Sequence, residues 1–182
     1  GDRSTVGTAP QSIDLTTGIA GWRLTRSHGD VPAGRAPTTA PHAAWYKPRV
    51  NEGRWLGSSS KWPIGEVTFE VEFTVSAPEV ANFTLAYAVD KSIKQATLNG
   101  KPLDCGRAKS FRQCGGDATI IAPEGKGLFA MGTNVLSVTV ANGVSSASPM
   151  GFYATGKVVT GAASNEPFSL TARQAFDAFD LN

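Results

Sequence analysis

In a chain of 182 residues, 17 Lys and Arg stand against 15 Asp and Glu, and the formal charge of +2 excludes the broad basic field that nucleic-acid binders rely on. Charged residues make up 18%, below the roughly 25% of an average soluble domain, and 20 Gly with 11 Pro punctuate the chain too often for long helices. An apolar share of 41% can fill one sizeable core, and the length suits one domain with extensions better than two. No run approaches the roughly 18 consecutive apolar residues that span a bilayer, so no membrane insertion is expected.

In chain order, residues 1–11 have no pattern and are read as an N-terminal arm that opens on Gly1 rather than Met, as in a processed chain. Residues 13–15 and 21–25 are strand-like. Between them and the first long strand, residues 27–41 are rich in Gly, Pro, Ala and Thr with little periodicity. A loop of that length is commonly functional. All four tryptophans fall in the first 62 residues. Trp22 and Trp55 sit in short strand-like runs and are expected in the core. Trp45, its neighbour Tyr46 and Trp62 are flanked by Pro, Lys and Gly, and are expected at the surface.

Residues 66–75 alternate strictly: Val67, Phe69, Val71, Phe73 and Val75 on one face, Glu66, Thr68, Glu70, Glu72 and Thr74 on the other. That is a strand with one wet face. After Ala77 and Pro78, a second run places Ala81, Phe83, Leu85, Tyr87 and Val89 on one face, and the pair reads as a hairpin. Residues 92–98 run into Asn99-Gly100, a strong two-residue turn signal, and 101–103 begin the return. Residues 119–122, 134–140 and 151–159 supply the remaining strands. Beyond them, Thr171 to Gln174 fits a capping box, and Phe176 and Phe179 give a short helix an apolar face. The expected organisation is the arm 1–11, an antiparallel β-sandwich over 12–160, and a C-terminal extension over 161–182 that contains the helix.

The two cysteines, Cys105 and Cys114, bracket a polar, Gly-bounded loop. The favoured reading is a staple disulfide, worth about 2.5 to 3 kcal/mol by loop entropy, which requires an oxidising compartment. Two free thiols are the alternative, and no nearby His completes a metal tetrahedron. Catalysis finds little raw material. His28 and His42 are the only histidines, and no nucleophile-elbow, zinc-protease or phosphate-loop spacing occurs. The densest basic stretch, 107–112, reads as a solvated loop tip. Neither an enzyme, nor a cofactor, nor a metal site is expected.

Several landmarks occur in a characteristic order: the stretch from Trp55 to Val75; Ala88-Val-Asp90 followed by Ile93 and Leu98-Asn99-Gly100; Gly132-Thr-Asn-Val-Leu136 followed by Val140-Ala-Asn142; and an opening Thr17-Gly18-Ile-Ala-Gly-Trp22. Over residues 12–160 this order resembles the galactose-binding-like jelly-roll modules of exported bacterial proteins, including those with a PEP-type sorting tail. The two cysteines depart from that pattern. The resemblance implies a non-catalytic sandwich acting beside enzymes, cell walls or surface assemblies, with its binding site in the loops at one end, and a structural role for Asp90, Asn99 and Gly100.

The expectation is therefore a module that is secreted, periplasmic or at the cell surface and binds carbohydrate. Flat rings on a β scaffold stack on sugars while polar side chains engage hydroxyls. Trp45, Tyr46 and Trp62, with Arg54, are the expected platform. The alternative is a structural subunit of an extracellular or membrane-associated assembly, docked by the N-terminal loop and by Phe176 and Phe179.

Overall fold

A computed structural model of the chain describes residues 10–27, 31–143 and 147–160. The expected terminal helix with Phe176 and Phe179, and the loop residue His28, lie outside the described residues. In chain order the strands are β1 (Gln11–Asp14), β2 (Arg23–Arg26), β3 (Gly34–Arg35), β4 (Thr38–Thr39), β5 (Trp55–Trp62), β6 (Gly65–Val75), β7 (Asn82–Asp90), β8 (Ser92–Leu98), β9 (Lys101–Pro102), β10 (Thr119–Ala122), β11 (Gly132–Asn142), β12 (Ser148–Thr155) and β13 (Lys157–Thr160). They form two antiparallel sheets packed as a sandwich. One runs β1-β13-β7-β12-β5-β4, with β10 on the other edge of β7; the second runs β3-β2-β6-β11-β8-β9.

The core follows from alternation. Val67, Phe69, Val71, Phe73 and Val75 of β6 point inward with Leu136, Val138 and Val140 of β11. They meet Phe83, Leu85, Tyr87 and Val89 of β7 and Met150 and Phe152 of β12 from the facing sheet. Fully burying each such side chain stabilises by about 1.5 to 3 kcal/mol. Both runs therefore face the core as read, but β6 and β7 are not a hairpin. β6 pairs with β2 and β11, whereas β7 pairs with β10, β12 and β13. The connection holds a single 3₁₀ turn at Pro78–Val80 and carries the chain from one sheet to the other. Alternation specifies which side of a strand meets the core and leaves its neighbour open.

The landmark asparagines hold turns. Asn99 adopts φ 53° at the Asn-Gly turn, accepts the N–H of Val135 (2.9 Å) and donates to Asn134 Oδ1 (2.8 Å). Buried Asn134 also accepts from Ala130 N–H and donates to the carbonyls of Ala130 and Gly132. Asn142 donates to the carbonyls of Trp62 and Pro63.

The expected staple is absent: Cys105 and Cys114 are free thiols. Cys105 packs against the core between the sheets, while Cys114 packs against a second cluster on the outer face of the first sheet. Successive residues of β7 mark the division, Tyr87 belonging to the inner cluster and Ala88 to the outer one. The two thiols thus adjoin different packed regions.

Candidate functional site

The outer cluster sets the geometry of everything near the predicted site. Trp45, Trp55, Ala88 and Tyr153 form it, with Tyr46, Phe111 and Cys114 packed around them. Loop 40–54 and the part of loop 103–118 that carries Phe111 and Cys114 pack on this face and are tied to each other by the Tyr46 N–H donating to the Phe111 carbonyl (2.8 Å). Gly151 leaves the room the rings need: a Cβ there would lie 2.7 Å from atoms of both Trp45 and Trp55.

Two of the four residues expected to form a sugar platform are buried, one in each cluster. Trp45 is 3% exposed, stacks at 4.5 Å on Trp55 and donates its indole N–H to Asp90 Oδ2 at 2.6 Å. Trp62 is 4% exposed, within the inner core, and its Nε1 has no hydrogen-bond partner. Their polar neighbours Lys47 and Lys61 stay in solvent while the indoles turn inward, which is why flanking composition misplaced them. Tyr46 is half-buried, its carbonyl accepts the Trp55 indole N–H (2.9 Å), and its ring sits 5.5 Å from Tyr153. Burial raises the Tyr46 hydroxyl pKa and pushes that of Tyr153 up to about 12. Trp22 and Trp55 are core residues as expected. Only Arg54 of the expected platform is exposed.

Arg54 borders a concavity of about 600 Å³ lined by Gly18, Ile19, Arg49, Val50, Asn51 and Gly53. A second hollow of about 350 Å³ shares Gly18 and Ile19 and continues past Gly21 and Arg23 to Arg35, Thr38 and Leu56. They adjoin at Gly18 and Ile19 as one cleft, whose second hollow reaches β3 and β4. Its apolar points, Ile19 at 53% and Val50 at 90% exposure, are among the largest exposed hydrophobics of the described residues.

The walls are pre-organised. Thr17, fully buried, exchanges hydrogen bonds with Ala154 through both its backbone and its hydroxyl. Its carbonyl accepts the Arg54 N–H at 2.8 Å. The 49–52 turn closes twice: Glu52 N–H donates to the Arg49 carbonyl (3.0 Å), and Arg49 N–H donates to Glu52 Oε2 (3.0 Å). Tyr153 fastens the turn to the sheet by donating its hydroxyl proton to the Glu52 carbonyl (2.7 Å). At Gly53, φ 96°, a Cβ would lie 2.4 Å from the Thr17 carbonyl, so glycine alone lets the two walls approach.

His42 accepts the Ala44 N–H through Nδ1 and lies beside Trp45. Among the described residues no group of three or more His, Cys, Asp or Glu is placed to hold a metal ion. What the cleft offers is guanidinium donors, exposed aliphatic carbons and glycine-lined backbone. Of these, sequence reasoning singled out Arg54 and missed Ile19, Arg23, Arg35, Arg49, Val50 and Asn51. The available signal was the pair of glycine-bounded turns, 18–21 and 51–53, each next to an apolar residue with no periodic partner. Compared with known protein families and with curated proteins, the chain matches none.

Proposed function

We propose that this chain is a non-catalytic, exported β-sandwich module that binds carbohydrate in the cleft between the 16–23 and 49–54 segments. The observation that carries the reading is the rigidity of that cleft: both walls are pinned to the sheet through Thr17, Glu52 and Tyr153, so little ordering entropy is left to oppose a weakly held ligand. Arg54 contributes donors for sugar oxygens, and Ile19 and Val50 contribute apolar contact. The tryptophans act from behind the site, by holding the 40–54 loop, rather than by stacking on sugar.

Affinity electrophoresis and calorimetric titration against neutral and acidic polysaccharides test this. Binding to at least one, weakened about tenfold (about 1.4 kcal/mol) by Arg54→Ala with an unchanged melting temperature, is expected. Failure to bind any polysaccharide overturns it.

A further inference from the structure

The two hollows that make up the cleft are lined by Arg23, Arg35, Arg49 and Arg54, and by no Asp or Glu. In a chain with nearly as many acids as bases, that is a strong local segregation of charge. The ion pairs of the described residues are Lys91–Asp90, Lys94–Glu66 and Lys109–Asp117, and none of them engages a cleft arginine. Two carboxylates lie close by. Glu52 accepts a backbone N–H in its own turn, and Glu70, opposite Arg23 across the strand pair, accepts the Ser137 hydroxyl at 2.7 Å.

The backbone adds a second observation. Arg23 and Arg35 are directly opposed in the antiparallel β2–β3 pair. Like charges at such positions are about 5 Å apart at Cβ and repel. Glu70, directly opposite Arg23 on its other side, offsets part of that repulsion, and an anion bound in the open space in front of the two arginines would offset the rest. Guanidinium groups match the planar, two-oxygen face of a carboxylate or sulfate through paired N–H donors.

From this charge segregation and the opposed arginines we infer that the cleft selects anionic saccharides, a uronate carboxylate or sulfate ester being held by Arg23 and Arg35 while neighbouring sugar rings extend across Ile19 and Gly18 toward Arg49 and Arg54. The inference rests on the carbohydrate reading. An acidic peptide fits less well. Extended peptides add to a sheet edge through a ladder of backbone hydrogen bonds, and the strands bordering the cleft, β3 and β4, are each two residues long.

The test uses the whole chain and four probes: polygalacturonate, dextran sulfate, neutral dextran and poly-glutamate. The variants are Arg23→Gln with Arg35→Gln, Arg54→Gln, and Arg107→Gln with Arg112→Gln in the separate basic loop, each checked for native circular dichroism. The expected result is binding to polygalacturonate or dextran sulfate, whichever supplies the natural group, at least tenfold tighter than to dextran. That binding should fall about tenfold or more in each cleft variant, remain in the 107/112 variant, and weaken as salt screens the charges. Dextran binding equal to the acidic polymers, unaffected by the cleft variants, overturns the anionic inference and leaves the carbohydrate reading standing. No binding to any glycan overturns both. Loss of binding only in the 107/112 variant places the anion elsewhere and overturns the inference. Poly-glutamate binding as tight as polygalacturonate, with the same arginine dependence, overturns the saccharide assignment in favour of acidic peptide.

Discussion

Replacing Gly151 by Ala perturbs the outer cluster at its tightest point. The added Cβ would lie 2.7 Å from Trp45 Cη2 and Cζ3 and from Trp55 Cε3, about 1 Å inside the optimum carbon separation of 3.5 to 4.0 Å. Neither ring can easily give. Trp45 is pinned through Asp90 and Trp55 through the Tyr46 carbonyl, and both are buried. Overpacking a filled core costs about 1 to 3 kcal/mol, and two pinned rings put this substitution at about 2 to 3 kcal/mol. For a domain of this size that lowers the melting temperature by about 4 to 12 °C. Gly21→Ala is the control: nothing lies within 4 Å of its modest added Cβ, and its effect should stay within about 1 kcal/mol of zero, in either direction. Urea unfolding followed by tryptophan emission measures both. A Gly151→Ala protein within 0.5 kcal/mol of the parent would refute the claim that the outer cluster is a filled, rigid core.

Asn134→Ala should destabilise by about 2 to 4 kcal/mol, because a fully buried amide that serves Ala130 and Gly132 backbone groups and Asn99 leaves them unsatisfied when removed; equilibrium unfolding in urea measures the loss. Stability should also fall in alkali. Burial raises the Cys114 thiol from 9.0 to about 11 and the Tyr153 hydroxyl from 10.0 to about 12. Between about pH 9 and 12 the unfolded chain therefore releases protons that the folded one retains, and the stability that is complete below pH 9 is lost through this window. Melting temperatures measured from pH 8 to 11 should decline, and Cys114→Ala should make the decline shallower. An identical slope in that variant would remove Cys114 from the account.

Strands were readable where one face was wet. The alternation over 66–75 identified β6 and its buried side chains, and Asn99-Gly100 located the β8–β9 turn, because those signals are local. The partner of β6 was not readable, since facing a core and pairing with a neighbour are separate facts and only the first leaves a trace in periodicity. Trp45 and Trp62 were misplaced for a related reason: loop composition reports what surrounds a residue in the chain, and a loop that lies flat against a sheet buries its large rings regardless. A trace did exist. Alternation stops at residues 87–90 and again at 150–154, where every side chain is buried, the pattern of strands covered on both faces. Of the candidate site, Arg54 was legible. Of the arginines that accompany it, Arg49 lies in the same loop, whereas Arg23 and Arg35 come from β2 and β3, which only the pairing of those strands brings together. The staple was misread because the spacing of the cysteines in sequence could not reveal that they pack against different clusters.

The division of the four tryptophans between two packed regions gives the protein a pair of internal reporters. Trp22 and Trp62 belong to the inner core, whereas Trp45 and Trp55 belong to the outer one. If the two loops lift away while the sheets stay together, the second pair alone becomes hydrated, and the emission shifts red by part of its full range. Optical unfolding of the parent against Trp45→Phe and Trp62→Phe thus separates loop detachment from loss of the sandwich. A detached loop also carries Arg49 and Arg54 away from the cleft, so ligand affinity and the outer pair's emission should be governed by one and the same opening equilibrium.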